Sequence, residues 1–291
     1  MKLAVRIAVF SLAIFALVLH PLSANAAKQH PGSRPAAGSA AGTAGGGTVY
    51  PQFLYQGKTT RWIPQQMPIK VWVSNGLSLD QIIDPATGAP VTNTANTAHW
   101  GDAVVAVLEQ GKIGSLPQVT PFSEEMYQAA VRGVSSWKVL EPEGLYSYRL
   151  TDNPDEADVY VFWTNHFVNK LGLGLFENDI RGQTSKWLLP AQAVLSAMQE
   201  NNLDLIRRSR KPVVILLRTT ASDGQNMMGL RDMEAAAAHE MGHALGIDGH
   251  SQNPHDLMSV YCAQGAPYPK PGPNDLATMR FLYHRQADMI P

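Results

Sequence analysis

Apolar positions along the chain fall into two repeats, one of two residues and one of three to four. Pro68-Ile69-Lys70-Val71-Trp72-Val73 alternates and runs into Ser74-Asn75-Gly76, which predicts a strand closed by a turn. Met126, Ala129, Ala130, Val134 and Trp137 recur at helical spacing across residues 123–138. Ser123 supplies a capping hydroxyl at the start of that helix, followed by the acids Glu124 and Glu125. Tyr146–Leu150 and Asp158–Thr164 read as strands joined through the turn residues Asp152-Asn153-Pro154-Asp155. Pro212–Arg218 is a short apolar run of the buried-strand type. After the glycines Gly172, Gly174 and Gly182, Thr184–Leu189 reads as an edge strand. Further helices are expected around Trp100–Gln110, over residues 191–208, and from Asn274 to His284. The pattern predicts about four or five strands and three or four helices: an α+β or mixed α/β fold in one domain.

The ends of the chain divide it further. Met1, Lys2 and Arg6, an apolar run from Ile7 to Leu19, and then Ala24-Asn25-Ala26 read as a signal peptide cut after Ala26. The apolar run is shorter than the ~20 residues that a membrane span needs. Residues 27–48 are rich in Ala, Gly and Ser, a composition that buries little apolar surface and reads as a flexible leader. Residues 49–291 then read as a single domain, expected to be a secreted or periplasmic monomer with no stable membrane anchor. Charged residues are 16% of the chain and the net charge is -1, with no basic stripe, so a nucleic-acid partner is not expected. One cysteine, Cys262, allows no disulfide within the chain.

The chemistry concentrates in residues 231–245. An Ala run without Pro favours helix, with Asp232 as its expected cap and Gly246 as its stop. His239 and His243 are four apart and share one helix face, where two imidazoles can hold one zinc ion. Glu240 lies between them. It is placed to take a proton from a zinc-bound water and pass it to a leaving amine, which is the H-E-x-x-H mechanism. Catalytic zinc takes a third protein ligand and keeps a fourth position open. No glutamate follows Glu240 in the chain, so the third ligand is sought in Gly246-Ile247-Asp248-Gly249-His250-Ser251. Gly246 permits the sharp turn back towards the metal, and His250 is the natural ligand.

His239-Glu240-x-x-His243-x-x-Gly246, then His250-Ser251 and Met258, resembles the metzincin metallopeptidases and is most similar to their matrixin branch. The resemblance implies that Met258 forms an apolar floor under the ligands without binding the metal. It also implies a twisted, mostly parallel sheet, a closing helix at 274–283, a first strand at 67–71, and a peptide substrate laid along an antiparallel edge, here Thr184–Leu189. This sequence departs from the family by one residue: three, not two, separate Gly246 from His250. Gly249 is expected to absorb the extra residue as a bulge. Asp248 is the rival third ligand, because some metzincins use Asp there.

The expected activity is therefore that of a secreted zinc-dependent endopeptidase acting on a peptide or protein. Its metal ligands are His239, His243 and His250, and Glu240 is the general base and acid. The alternatives are a catalytically inactive zinc-binding interaction domain and a zinc hydrolase of a non-peptide amide. One catalytic Zn2+ is expected, and no residue set assigns a structural Ca2+. His99, Asp102, His166 and His255 are expected to be ordinary residues, and Tyr261 is a weaker candidate for a specificity pocket.

Overall fold

A computed structural model of the chain describes residues 47–82, 90, 99–167, 180–202, 211–259 and 270–291. Within them the elements follow in the order β1 (Ile69–Ser78), α1 (Trp100–Glu109), α2 (Glu124–Ser135), β2 (Tyr148–Leu150), β3 (Val159–Thr164), β4 (Gly182–Ser185), β5 (Leu189–Pro190), α3 (Ala191–Gln199), β6 (Val213–Arg218), α4 (Leu230–Leu245), α5 (Pro273–Tyr283) and β7 (Met289–Ile290). Residues 1–46, which hold the expected signal peptide and most of the expected leader, lie outside the described residues. So do residues 203–210, Gly172, Gly174, Tyr261 and Cys262. No helix among the described residues is long and apolar enough to cross a membrane.

Five strands form one sheet in the order β2-β1-β3-β6-β4. The first four run parallel, and β4 closes one edge antiparallel to β6. Every residue of β3 and β6 is buried, as expected where helices cover both faces of a parallel sheet. The two-residue alternation sorts their side chains. Val159, Val161, Trp163, Val213, Ile215 and Leu217 pack on the side of α2 and α4. Tyr160, Phe162, Val214 and Leu216 pack on the other side with Trp100 and Val104 of α1. The fold is thus mixed α/β, as the pattern predicted, and its sheet is mostly parallel.

The helix expected over residues 191–208 ends at Gln199, and three further expectations need correction. The first strand does not end at Val73 but continues to Ser78. Its register against β3 shifts between Val73 and Ser78, so Ser74-Asn75-Gly76 forms a bulge and not a terminating turn. Gly76 supplies the positive φ of +77° that this bulge needs, and its carbonyl accepts from Val119 N. The edge strand spans Gly182–Ser185, earlier than the expected Thr184–Leu189. Leu189 and Pro190 turn away to pair with Met289 and Ile290. The third concerns Asp232, which does not cap α4. The cap position is Gly229, and Asp232 sits in the first turn, where its acid suits the positive end of the helix dipole and pairs with Arg181 at 2.7 Å.

Candidate metal centre

Helix α4, which carries His239 and His243, packs against α2 through small residues. Gly133 of α2 meets Ala237 and Ala238, a Cβ at Gly133 would overlap the Glu234 carbonyl oxygen, and Ala129 and Ala130 are buried in the same core. Two buried indoles then bind the helix backbone. Trp137 Nε1 donates to the Ala238 carbonyl and Trp62 Nε1 to the Ala244 carbonyl, each at 2.8 Å. The helix is therefore fixed in depth and rotation before any ligand side chain is considered.

On that helix His239 and His243 converge with His250 from the following loop, their ligand atoms all within 4.8 Å of one another. His243 Nε2 lies 3.1 Å from His239 Nε2 and 3.2 Å from His250 Nε2. Nitrogens held roughly 2.0–2.1 Å from a zinc ion in a tetrahedron stand about 3.3 Å apart, so this spacing fits one shared ion.

The other ring nitrogens decide what is presented. His239 Nδ1 lies 2.7 Å from the Leu257 carbonyl, and His243 Nδ1 2.7 Å from the Ile247 carbonyl. A carbonyl only accepts, so each Nδ1 carries the proton and each Nε2 offers a lone pair. Two lone pairs 3.1 Å apart do not hydrogen-bond; they suit a cation between them.

Burial keeps all three rings neutral. It lowers the His239 and His243 pKa values, the latter well below the ordinary value with the neighbouring His239, His250 and Lys186 adding to the effect. Burial and His239 together bring His250 down to about 3. Neutral imidazole is the form that binds metal.

The loop that delivers His250 is held by backbone crossings. Gly246 ends α4 with φ +126°, and a Cβ there would overlap the Thr60 carbonyl oxygen. Asp248 N donates to the Phe53 carbonyl. Gly249 is needed for close approach: a Cβ would overlap the Gln52 carbonyl oxygen. Asp248 is not part of the converging group. Its carboxylate accepts instead from Lys186 Nζ at 2.9 Å. Between the two candidate third ligands, the structure brings His250 to the other imidazoles.

Glu240 faces the edge strand β4. Thr184 Oγ1 donates to Glu240 Oε2 at 2.7 Å, and a Cβ at Gly182 would approach Glu240 Cγ to 2.6 Å. Burial raises the Glu240 pKa to about 7, while Thr184 and Lys186 act to lower it. Gly182 and Thr184 of β4, and Lys186 just past its end, follow at a spacing of two and face Glu240 and the end of α4. Sequence reading did not single out Thr184 or Lys186 for these contacts. Their spacing of two was visible, but the partners lie more than fifty residues away.

Met258 is fully buried against α4, and a Cβ at Gly242 would overlap its Sδ. The carboxylate of Asp275, on α5, accepts from Leu257 N at 2.9 Å and Met258 N at 3.1 Å. The same Leu257 orients His239 through its carbonyl, so α5 helps to set the ligand ring.

His255 is exposed, and its backbone N donates to Asn253. Asp102 pairs with Lys211, His99 precedes α1, and His166 lies beside Asn165; none joins the histidine group. No protein-family model matches the chain, and no curated protein matches it.

Proposed function

We propose that the chain is a zinc-dependent endopeptidase of metzincin type, closest in its motif to the matrixins, acting outside the cytoplasm. The observation that carries this reading is the convergence of the His239, His243 and His250 Nε2 atoms, with the lone pairs of the first two fixed by backbone carbonyls. Three neutral imidazoles are the donor set of a catalytic zinc site that keeps a fourth position for a reacting group. Bound there, zinc would supply a Lewis acid that activates water and polarises the scissile carbonyl.

The remaining steps belong to the chain. Glu240 is next to the first ligand, and its carboxyl is raised to about 7, within the range where one group can both accept and return a proton. It takes the proton of the attacking water and delivers it to the leaving amine. Thr184 holds its Oε2 in place. Strand β4 is antiparallel and lies at one edge of the main sheet among the described residues, so an extended peptide could add to it by backbone pairing. The side chains of β4 that point at Glu240 would bring such a peptide past the base.

Glu240→Ala separates chemistry from binding. The variant is expected to hold one zinc ion and to cleave no member of a peptide library that the wild-type chain cleaves in a chelator-sensitive way. Cleavage retained in a clean Glu240→Ala preparation contradicts the mechanism. A wild-type chain that binds zinc and cleaves nothing favours an interaction domain.

A further inference from the structure

The loop between Gly246 and His250 holds three residues, and nothing within it is regular secondary structure. Its middle residue, Asp248, extends its carboxylate to Lys186, just past the end of β4. Lys186 Nζ donates to Asp248 Oδ1 at 2.9 Å and to the His243 carbonyl at 3.0 Å. One ammonium therefore joins three parts of the molecule: the edge strand, the last turn of α4 that carries the second ligand, and the loop that carries the third.

The pair is largely withdrawn from water, with the Lys186 side chain 9% exposed and that of Asp248 19%. Removing one partner from such a pair strands the other charge, which is far more costly than losing an exposed ion pair. The His243 carbonyl is among the last of α4, where it also accepts from Gly246 N at 3.0 Å and where a cation is favoured by the helix dipole. The position of Lys186 is thus determined from both sides.

We infer that Lys186 is a positioning residue for the metal site, and that through Asp248 it fixes the His250 loop against the end of α4. This rests on the metal-binding reading of the three histidines, but not on the peptidase reading. The close approach of Gly249 to Gln52 and the bond from Asp248 N to Phe53 set the backbone of the loop on one side. Lys186 sets it on the other. Without the ammonium the Asp248 carboxylate has to seek water, and Gly249, the one residue that separates it from His250, moves with it.

The test uses the full chain and measures Zn2+ affinity by chelator competition and the visible spectrum of the Co2+-loaded protein. The proteins compared are wild type, Lys186→Met, Lys186→Arg, Asp248→Asn and the Lys186→Met/Asp248→Asn double variant. Outer contacts to metal ligands alter affinity by about 10- to 100-fold. Lys186→Met and Asp248→Asn are each expected to weaken Zn2+ binding by at least about tenfold and to lower the intensity of the Co2+ bands. The double variant is expected to be no worse than the poorer single variant, because both act through one contact. Lys186→Arg keeps the charge and is expected to restore most of the affinity and the spectrum. Melting of the metal-free proteins shows that each variant folds.

The inference is overturned if Lys186→Met and Asp248→Asn lower only the metal-free melting temperature and keep wild-type Zn2+ affinity and Co2+ spectrum. A wild-type chain that takes up neither ion overturns the metal reading itself, a result distinct from an unaffected variant.

Discussion

Thr184 donates its hydroxyl to Glu240 at 2.7 Å across the gap between the edge strand and the ligand helix. This bond ties the proposed base to the strand proposed to receive substrate. A hydrogen bond to a charged group contributes about 1.5–3 kcal/mol. Thr184→Val keeps the shape and removes the donor. It is expected to lower kcat by roughly tenfold to a hundredfold, since about 1.4 kcal/mol is tenfold in rate, while zinc content and KM change little. Steady-state kinetics with metal analysis on the same samples checks this. An unchanged kcat would mean that Glu240 needs no holding from β4.

Gly242 precedes His243 on α4 and packs against the buried Met258. A Cβ there would overlap Met258 Sδ and stand 2.8 Å from Trp137 Cζ2. Gly242→Ala is expected to destabilise the domain by about 1–3 kcal/mol, the usual cost of overpacking. Met258→Ala makes room, so the double variant is expected to be more stable than the sum of the two single changes. Denaturant midpoints of the four proteins decide the point; strict additivity would contradict the contact.

Asp275 gives a pH dependence of defined sign. Its carboxyl is raised to about 6 by burial, although the N–H groups of Gly272, Leu257 and Met258 pull in the other direction. In the unfolded chain an aspartate titrates near ~3.9. Below that value both states hold the proton, and the contribution to stability is complete. As pH rises towards about 6 the unfolded state has lost its proton while the folded state still holds one, so this contribution falls. The two-unit difference sets about 3 kcal/mol as its upper size. Unfolding of the metal-free protein is therefore expected to show wild type losing stability relative to Asp275→Asn between about pH 4 and pH 7. A difference that is constant with pH would contradict the raised pKa.

Much of this architecture is legible in the chain because its causes are local. The apolar runs 158–164 and 212–218 become the two central strands, since a parallel strand covered on both faces needs no polar alternation. Ser123 caps α2 as expected, its Oγ accepting from Met126 N. The features that escaped depend on distant backbone. Ser74-Asn75-Gly76 has the composition of a turn, but Val119 N donates to the Gly76 carbonyl and Ser78 N to the Pro117 carbonyl, and the strand continues. Asp232 looks like a cap by type, but the extended backbone that a cap requires falls at Gly229.

The metal site divides in the same way. His239 and His243 follow from helical periodicity alone. His250 was favoured over Asp248 by sequence but not separated from it. The separation comes from Lys186, whose ammonium occupies the Asp248 carboxylate from a strand sixty-two positions earlier in the chain.

Zinc K-edge X-ray absorption of the purified full chain, with the zinc content of the same sample, tests the central claim most directly. One zinc per chain is expected, with three imidazole nitrogens at about 2.0–2.1 Å and one further light atom. His250→Ala is expected to lose one imidazole from that shell, and Asp248→Asn to keep all three. A wild-type shell of two imidazoles and a carboxylate, or a chain that takes up no zinc, would contradict the account.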